Sequence, residues 1–427
     1  MPETELHVIF DQPNEVFFPG QPISGRVVLS TTEEKYKARA VNIKILGLAH
    51  TSWTDYDSVR RVDNDGNVRY DSESVHYSSN VHYLDQALLL WACKDGSNEL
   101  SAGDYVWPFS YTLPLNVPPS FEGKYGYLRY SVTAEVDRPW RLDKAKRRCI
   151  TGEARLSPLI DLNAIPLALT PIDDEESENL GCCFFRKGYL ELRVNIPKTG
   201  FVPGETVPMN IHILNHSSVP VTEVKAKIIQ QCKFIAYRNG TIFRFDGGSD
   251  TLMSGSSQQT KYDTKPVITQ TQPMTVTPGN EHKFVLEFRL PSVTPTICRF
   301  SPVITVEYVV QVRVETTSTC GSAAKCEMPI LIGTVPIRNY LPPPIPNNYP
   351  IGLPPPYANL TDVNVPCPSG GSGTAVIPSA PPPSYQESMY GVGGTELRAE
   401  ENEKPFAPKY PVFNNLPIYN PTAPPSE

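Results

Sequence analysis

Phe18-Pro19-Gly20-Gln21 stands just ahead of a run of β-branched residues near the start of the chain, and Val202-Pro203-Gly204-Glu205 stands ahead of another about 184 residues later. Three further pairs keep the same order. Val41-Asn42-Ile43-Lys44-Ile45 returns as Val224-Lys225-Ala226-Lys227-Ile228, Phe109-Ser110-Tyr111-Thr112-Leu113-Pro114 as Leu286-Glu287-Phe288-Arg289-Leu290-Pro291, and Tyr130 to Val136 as Tyr308 to Val314. A period this long describes a duplicated domain and not a solenoid.

The repeated unit is all-β. β-Branched and aromatic residues recur through Arg26 to Leu29, Val41 to Leu48, Leu190 to Ile196 and Val303 to Val314, with Gly, Pro, Asn and Asp between the runs. Many such short segments parted by turn residues predict a β-sandwich of the immunoglobulin type. Leu84 to Trp91 fits helix or strand by pattern, and its Leu88-Leu89-Leu90 run reads better as a buried strand. The expected organisation is one sandwich over 1–165, a second over 180–338, a joint near the acidic stretch Asp173-Asp174-Glu175-Glu176, and a tail over 339–427. Twenty-one of the 45 prolines follow Tyr340, and with few apolar clusters to bury, that tail is expected to be disordered.

Composition removes several functions. At 427 residues the chain has room for two domains and a tail. A net charge of -7 lacks the basic excess that phosphate backbones require, so nucleic acid is not the expected ligand. The opening MPETELHVIFDQ has no basic and apolar regions of a secretory signal, and no window of about 18 residues is apolar enough to span a bilayer. Nine scattered cysteines suit a reducing compartment. The expected location is cytoplasmic, which leaves the Asn239-Gly240-Thr241 sequon unused.

No catalytic arrangement is visible: GxxxxGK[ST], HExxH and GxSxG are all missing, and the seven histidines lie apart. Neither Cys182-Cys183 nor Cys320 with Cys326 has the two-plus-two spacing of a zinc site, so no metal and no cofactor are expected.

The tail carries the recognisable ligands. Pro354-Pro355-Pro356-Tyr357 and Pro382-Pro383-Ser384-Tyr385 are both PPxY, the peptide that WW domains bind. Prolines hold such a segment near polyproline II before a partner arrives, so docking orders little chain. The candidate binding residues are Pro354, Pro355, Tyr357, Pro382, Pro383 and Tyr385. Leu416-Pro417-Ile418-Tyr419 is a degenerate third copy. Across the Gly370 to Gly373 linker, 28 residues separate Tyr357 from Tyr385, a coil span of about 30 Å that lets tandem WW domains engage both. The basic run Arg138, Arg141, Lys144, Lys146, Arg147 and Arg148 is read either as a phosphate or lipid contact or as a solvated sandwich edge.

Ser120-Phe121-Glu122-Gly123-Lys124-Tyr125-Gly126, continuing through Leu128-Arg129-Tyr130 to Asp137-Arg138-Pro139-Trp140, resembles the signature of the first domain of α-arrestins. Ile332-Gly333-Thr334-Val335-Pro336 resembles the motif closing their second domain. The resemblance implies two tandem arrestin-like sandwiches and a tail that recruits WW-domain HECT-type ubiquitin ligases. It further implies a non-enzymatic adaptor that brings such ligases to membrane receptors or transporters, at the plasma membrane and endosomes, for ubiquitination, endocytosis and sorting. A structural sorting scaffold whose tail binds other WW proteins is the alternative. Some relatives pair a second-domain cysteine with thioredoxin; the matching region, Met253 to Gln258, has none, so that property is not carried over.

Overall fold

Gly20 and Gly204 both adopt a left-handed backbone, with φ of 87° and 89°, and the turn built on each is the same to the level of single hydrogen bonds. The Gly20 amide donates to the Leu113 carbonyl at 2.7 Å and the Gly204 amide to the Leu290 carbonyl at 2.8 Å. Two residues before each glycine, a backbone amide is satisfied by the side chain that follows it. Phe18 N donates to Gln21 Oε1 at 3.1 Å, and Val202 N to Glu205 Oε2 at 3.0 Å. Glycine is needed because a Cβ clashes at positive φ, and the side-chain acceptor answers an amide the turn would otherwise leave open.

The computed structural model describes residues 4–337 except 14, 63–67, 95, 139–149, 183–184, 239, 245–256, 299 and 318–323, and beyond them 410, 412 and 413. Two compact units emerge, one of Met1–Pro158, Lys233–Lys261 and Arg299–Ile304, the other of Leu159–Cys232, Tyr262–Cys298 and Thr305–Glu427. No helix of the described residues is long and apolar enough to cross a membrane.

In the first unit, strands Thr4–Phe10, Pro22–Thr31 and Gly103–Thr112 form one antiparallel sheet. The opposing sheet runs Val68–Ala92, Ala40–Val62, Gly126–Asp137, Ile150–Pro158, with Val16–Phe17 joined in parallel at the last strand's end. Leu128, Tyr130, Val132, Ala134 and Val136 are all buried while their neighbours are partly open, the period-two pattern of a strand with one face in the core. In the second unit, Ile172–Cys182, Phe185–Ile196, Thr206–Ser217 and Glu281–Arg289 make one sheet. Lys325–Ile332 pairs with Ile304–Thr316 and takes Gly200–Phe201 in parallel at its end. That short parallel pair matches Val16–Phe17 in the first unit. A buried tyrosine is also duplicated: the Tyr130 hydroxyl donates to the Pro118 carbonyl at 2.7 Å, and Tyr308 to that of Thr294 at 2.6 Å.

Two expectations are corrected. Leu88 to Leu90 lie in a strand, but Leu89 is 63% exposed, opposite Asn42; alternate residues of any strand face opposite ways, so three successive leucines cannot all point inward. The acidic stretch Asp173 to Glu176 is no joint but part of the edge strand Ile172–Cys182. Its charges have partners, with Asn195 Nδ2 donating to Asp173 at 2.7 Å, the Glu327 amide donating to Asp174 at 2.8 Å, and Arg193 3.3 Å from Glu175. Within the tail, Tyr410 and Phe413 are buried, Phe413 against an apolar cluster of the second unit.

Candidate functional site

The six PPxY residues, Pro354, Pro355, Tyr357, Pro382, Pro383 and Tyr385, lie outside the described residues, as do Leu416 to Tyr419 and every member of the basic run except Arg138. Arg138 is engaged by its own unit. Its guanidinium sits 4.5 Å from the Tyr36 ring centroid, its Nε donates to the Lys37 carbonyl at 3.1 Å, and Glu33 lies 3.8 Å away. A cation stacked and bonded in this way is less available to an outside anion.

The Phe121 to Tyr130 stretch is a packing device. Phe121–Gly123 pairs with Gly126–Asp137 across a tight return. The Phe121 ring lies 6.1 Å from that of Phe234, and Tyr125 meets Phe234 edge-on at 5.7 Å. A Cβ on Gly123 would stand 2.6 Å from the Phe121 ring and 2.8 Å from Phe234, and one on Gly126 would stand 2.3 Å from the His50 carbonyl oxygen. Arg129 grips Glu122 with two hydrogen bonds, at 2.5 and 3.0 Å, while its guanidinium stacks 3.8 Å over Tyr127. Such a forked contact fixes both side chains in one plane.

Little here supports chemistry. Among the described residues, no group of three His, Cys, Asp or Glu could hold a metal. Burial pushes the Cys232 and Cys326 thiols up to about 12, which keeps both protonated and unreactive near neutrality. An open groove of about 570 Å³ on the second unit is lined by Asp173, Glu175, Arg193, His212 and Lys283 among others. Both signs of charge are present, and His212 is held by Glu281 at 2.7 Å, so the groove favours neither anion nor cation.

The most built contact involves the tail. Leu162, Ala168, Val202 and Ile337 form a buried apolar cluster with Phe413, flanked by Ile165 and Leu331. Two short 3-10 turns, Leu162–Ala164 and Pro166–Leu169, present Leu162 and Ala168 to it. Ile337 arrives from the Ile332 to Pro336 motif, which is held by Thr334: its Oγ1 donates to the Ile160 carbonyl at 3.0 Å and accepts from the Ile160 amide at 2.6 Å. The Phe413 amide donates to the Pro203 carbonyl at 2.9 Å. Tyr410 is 1% exposed and Phe413 6%. Sequence reading missed both, and the available signal was Tyr410-Pro411-Val412-Phe413 itself, an apolar cluster in a polar, proline-rich surround.

Comparison with known proteins agrees with this architecture. Residues 6–162 match the family described as Arrestin (or S-antigen), N-terminal domain, and residues 186–337 match its C-terminal domain. The chain is similar to Arrestin domain-containing protein 17 of Caenorhabditis elegans, 26% identical over 96% of this chain and 99% of that protein. It is 27% identical to Arrestin domain-containing protein 4 of Mus musculus over 78% of this chain and 73% of that one. It is also 25% identical to Thioredoxin-interacting protein of Pongo abelii over 54% of this chain and 55% of that one.

Proposed function

The chain belongs to the arrestin family, as an α-arrestin, and from that premise we propose that it is an adaptor joining membrane cargo to WW-domain HECT-type ubiquitin ligases. The single observation carrying the proposal is the pair of PPxY motifs, Pro354 to Tyr357 and Pro382 to Tyr385, on a chain whose remainder is a tandem arrestin body. In this reading the body spans 1–165 and 180–338, the tail spans 339–427, and the protein works peripherally at the plasma membrane and endosomes. No catalytic residue is required of it. Holding a ligase beside a receptor or transporter raises the local concentration of acceptor lysines, which is an effect of tethering alone.

Each motif offers its prolines to the aromatic groove of a WW domain and its tyrosine to the neighbouring pocket. Titration of a tandem WW fragment against the full chain is the direct test. Tyr357→Ala or Tyr385→Ala alone weakens binding by about ten-fold or more, since the second contact depends on effective concentration, and the double substitution abolishes it. Undiminished affinity in the double variant rejects the tail mechanism. If WW binding is lost but no HECT ligase co-purifies with the wild-type chain, the tail serves other WW proteins and the protein is a sorting scaffold instead.

A further inference from the structure

We propose that the cleft formed by Leu162, Ala168, Val202 and Ile337 is a peptide-docking site, and that its ligand is the chain's own Tyr410 to Phe413 segment, which ties the distal tail back to the second unit. The inference does not depend on what the proline motifs bind.

The duplicated turn supplies the strongest argument. In the first unit, Phe18, Pro19 and Gly20 are half-open, whereas Val202, Pro203, Gly204 and Glu205 are all buried. The backbone hydrogen bonds of the two turns are the same, so the difference comes from what lies over them. A Cβ on Gly20 would meet the Leu115 side chain at 2.8 Å. On Gly204 it would meet the backbone of Phe413, with the carbonyl oxygen at 2.2 Å and the amide nitrogen at 2.8 Å. The second copy of the turn therefore has a bare backbone against which another backbone lies directly, as where an extended peptide lies along an exposed strand.

Recognition uses three kinds of contact at once. Phe413 completes the apolar cluster, its amide reaches the Pro203 carbonyl, and Tyr410 is enclosed three residues earlier. The ligand class is a short extended peptide with aromatic residues at its first and fourth positions. Ile337, where the body gives way to the tail, lines the same cluster as Phe413, so both ends of the intervening chain are fixed at one place.

Hydrogen exchange on the full chain tests the assignment, following the Phe413 amide in the wild type, in Phe413→Ser, in Phe413→Leu and in a chain ending at residue 405, with thermal unfolding to confirm that each body is folded. The wild-type amide is expected to exchange at least ten-fold more slowly than in Phe413→Ser, with Phe413→Leu retaining most of the protection. Peptides covering Val202 to Glu205 should lose protection in Phe413→Ser and in the truncated chain alike. Exchange of the wild-type Phe413 amide at the rate of an unstructured peptide overturns the proposal. Protection that rises with protein concentration overturns it as well, since it assigns the cleft to the tail of a second copy.

Discussion

Glu205 and Gln21 hold the same place in the two repeated turns, and each side chain accepts the amide three residues back, yet only Glu205 carries a charge into the interior. Lys198 answers it as an ion pair, with both side chains almost wholly buried, and the Lys198 ammonium lies 4.8 Å from the Phe201 ring centroid. Burial holds Lys198 below the ordinary lysine range and Glu205 above the carboxylate range, because each charge has lost its water. Removing one partner strands the other. Glu205→Gln should destabilise the protein by about 3–5 kcal/mol, although Gln is adequate for the turn itself, as Gln21 demonstrates. Lys198→Met with Glu205→Gln should return to within about 2 kcal/mol of the wild type, since a buried pair adds little over apolar substitutes. Urea denaturation of the three variants decides this, and additive losses in the double variant would count against it. Lys198→Met alone has a pH signature. The lysine lowers the carboxyl's proton affinity, so without it the folded-state pKa of Glu205 moves further above its unfolded value. The folded state then binds the extra proton, and stability is lost as pH rises through that folded pKa. A variant equally stable across that range would contradict the assignment.

Among the elements, the hairpin from Phe121 to Asp137 shows what the family signature holds together. Gly123 is fixed by the Phe121 and Phe234 rings over it, and Gly123→Ala should destabilise by about 1–3 kcal/mol through overpacking. Phe234→Ala, which leaves a void beside Phe121 and Tyr125, should destabilise by about 3–5 kcal/mol; thermal melts of the two variants would check both. This scale also separates what was legible in the sequence from what was not. Duplication copied turn, strand and tyrosine together, so pairs such as Gly20 with Gly204 and Tyr130 with Tyr308 announced the architecture. The edge strand Ile172–Cys182 was hidden because its acidic run reads as solvated linker, and only its pairing with Arg193, Asn195 and the Glu327 amide explains it. The seat of Phe413 was hidden for another reason. Its walls come from Leu162, Ala168, Val202 and Ile337, remote in sequence, and four residues carry no periodicity. Its energy balance is narrow. Fixing both ends of a loop of this length costs roughly 4 kcal/mol, while burying Tyr410 and Phe413 returns about 3–6 kcal/mol and the amide hydrogen bond about 1 kcal/mol. A contact so balanced can be released, and Phe413→Ala is expected to free it without moving the melting temperature of the body.

For the whole molecule the two motifs are placed unequally with respect to this contact. Tyr357 is near Ile337 in sequence, while Tyr385 is farther from it and nearer Tyr410. If the intervening chain behaves as the coil expected from its proline and polar content, Tyr385 ranges about 38 Å from the cleft with the far end free and about 22 Å with it fixed. Tyr357 changes only from about 25 Å to about 21 Å by the same reckoning. The docked segment therefore acts chiefly on the second motif, drawing it in beside the first, and its release would extend the reach of whatever that motif carries. Energy transfer from a donor at Lys283, which is exposed on the second unit, to an acceptor introduced next to Tyr385 measures the effect. Phe413→Ser should lower the transfer efficiency, and moving the acceptor next to Tyr357 should nearly abolish the difference between variant and wild type. Equal changes at both positions would mean that the tail responds as a unit and that fixing its far end does not select between the motifs.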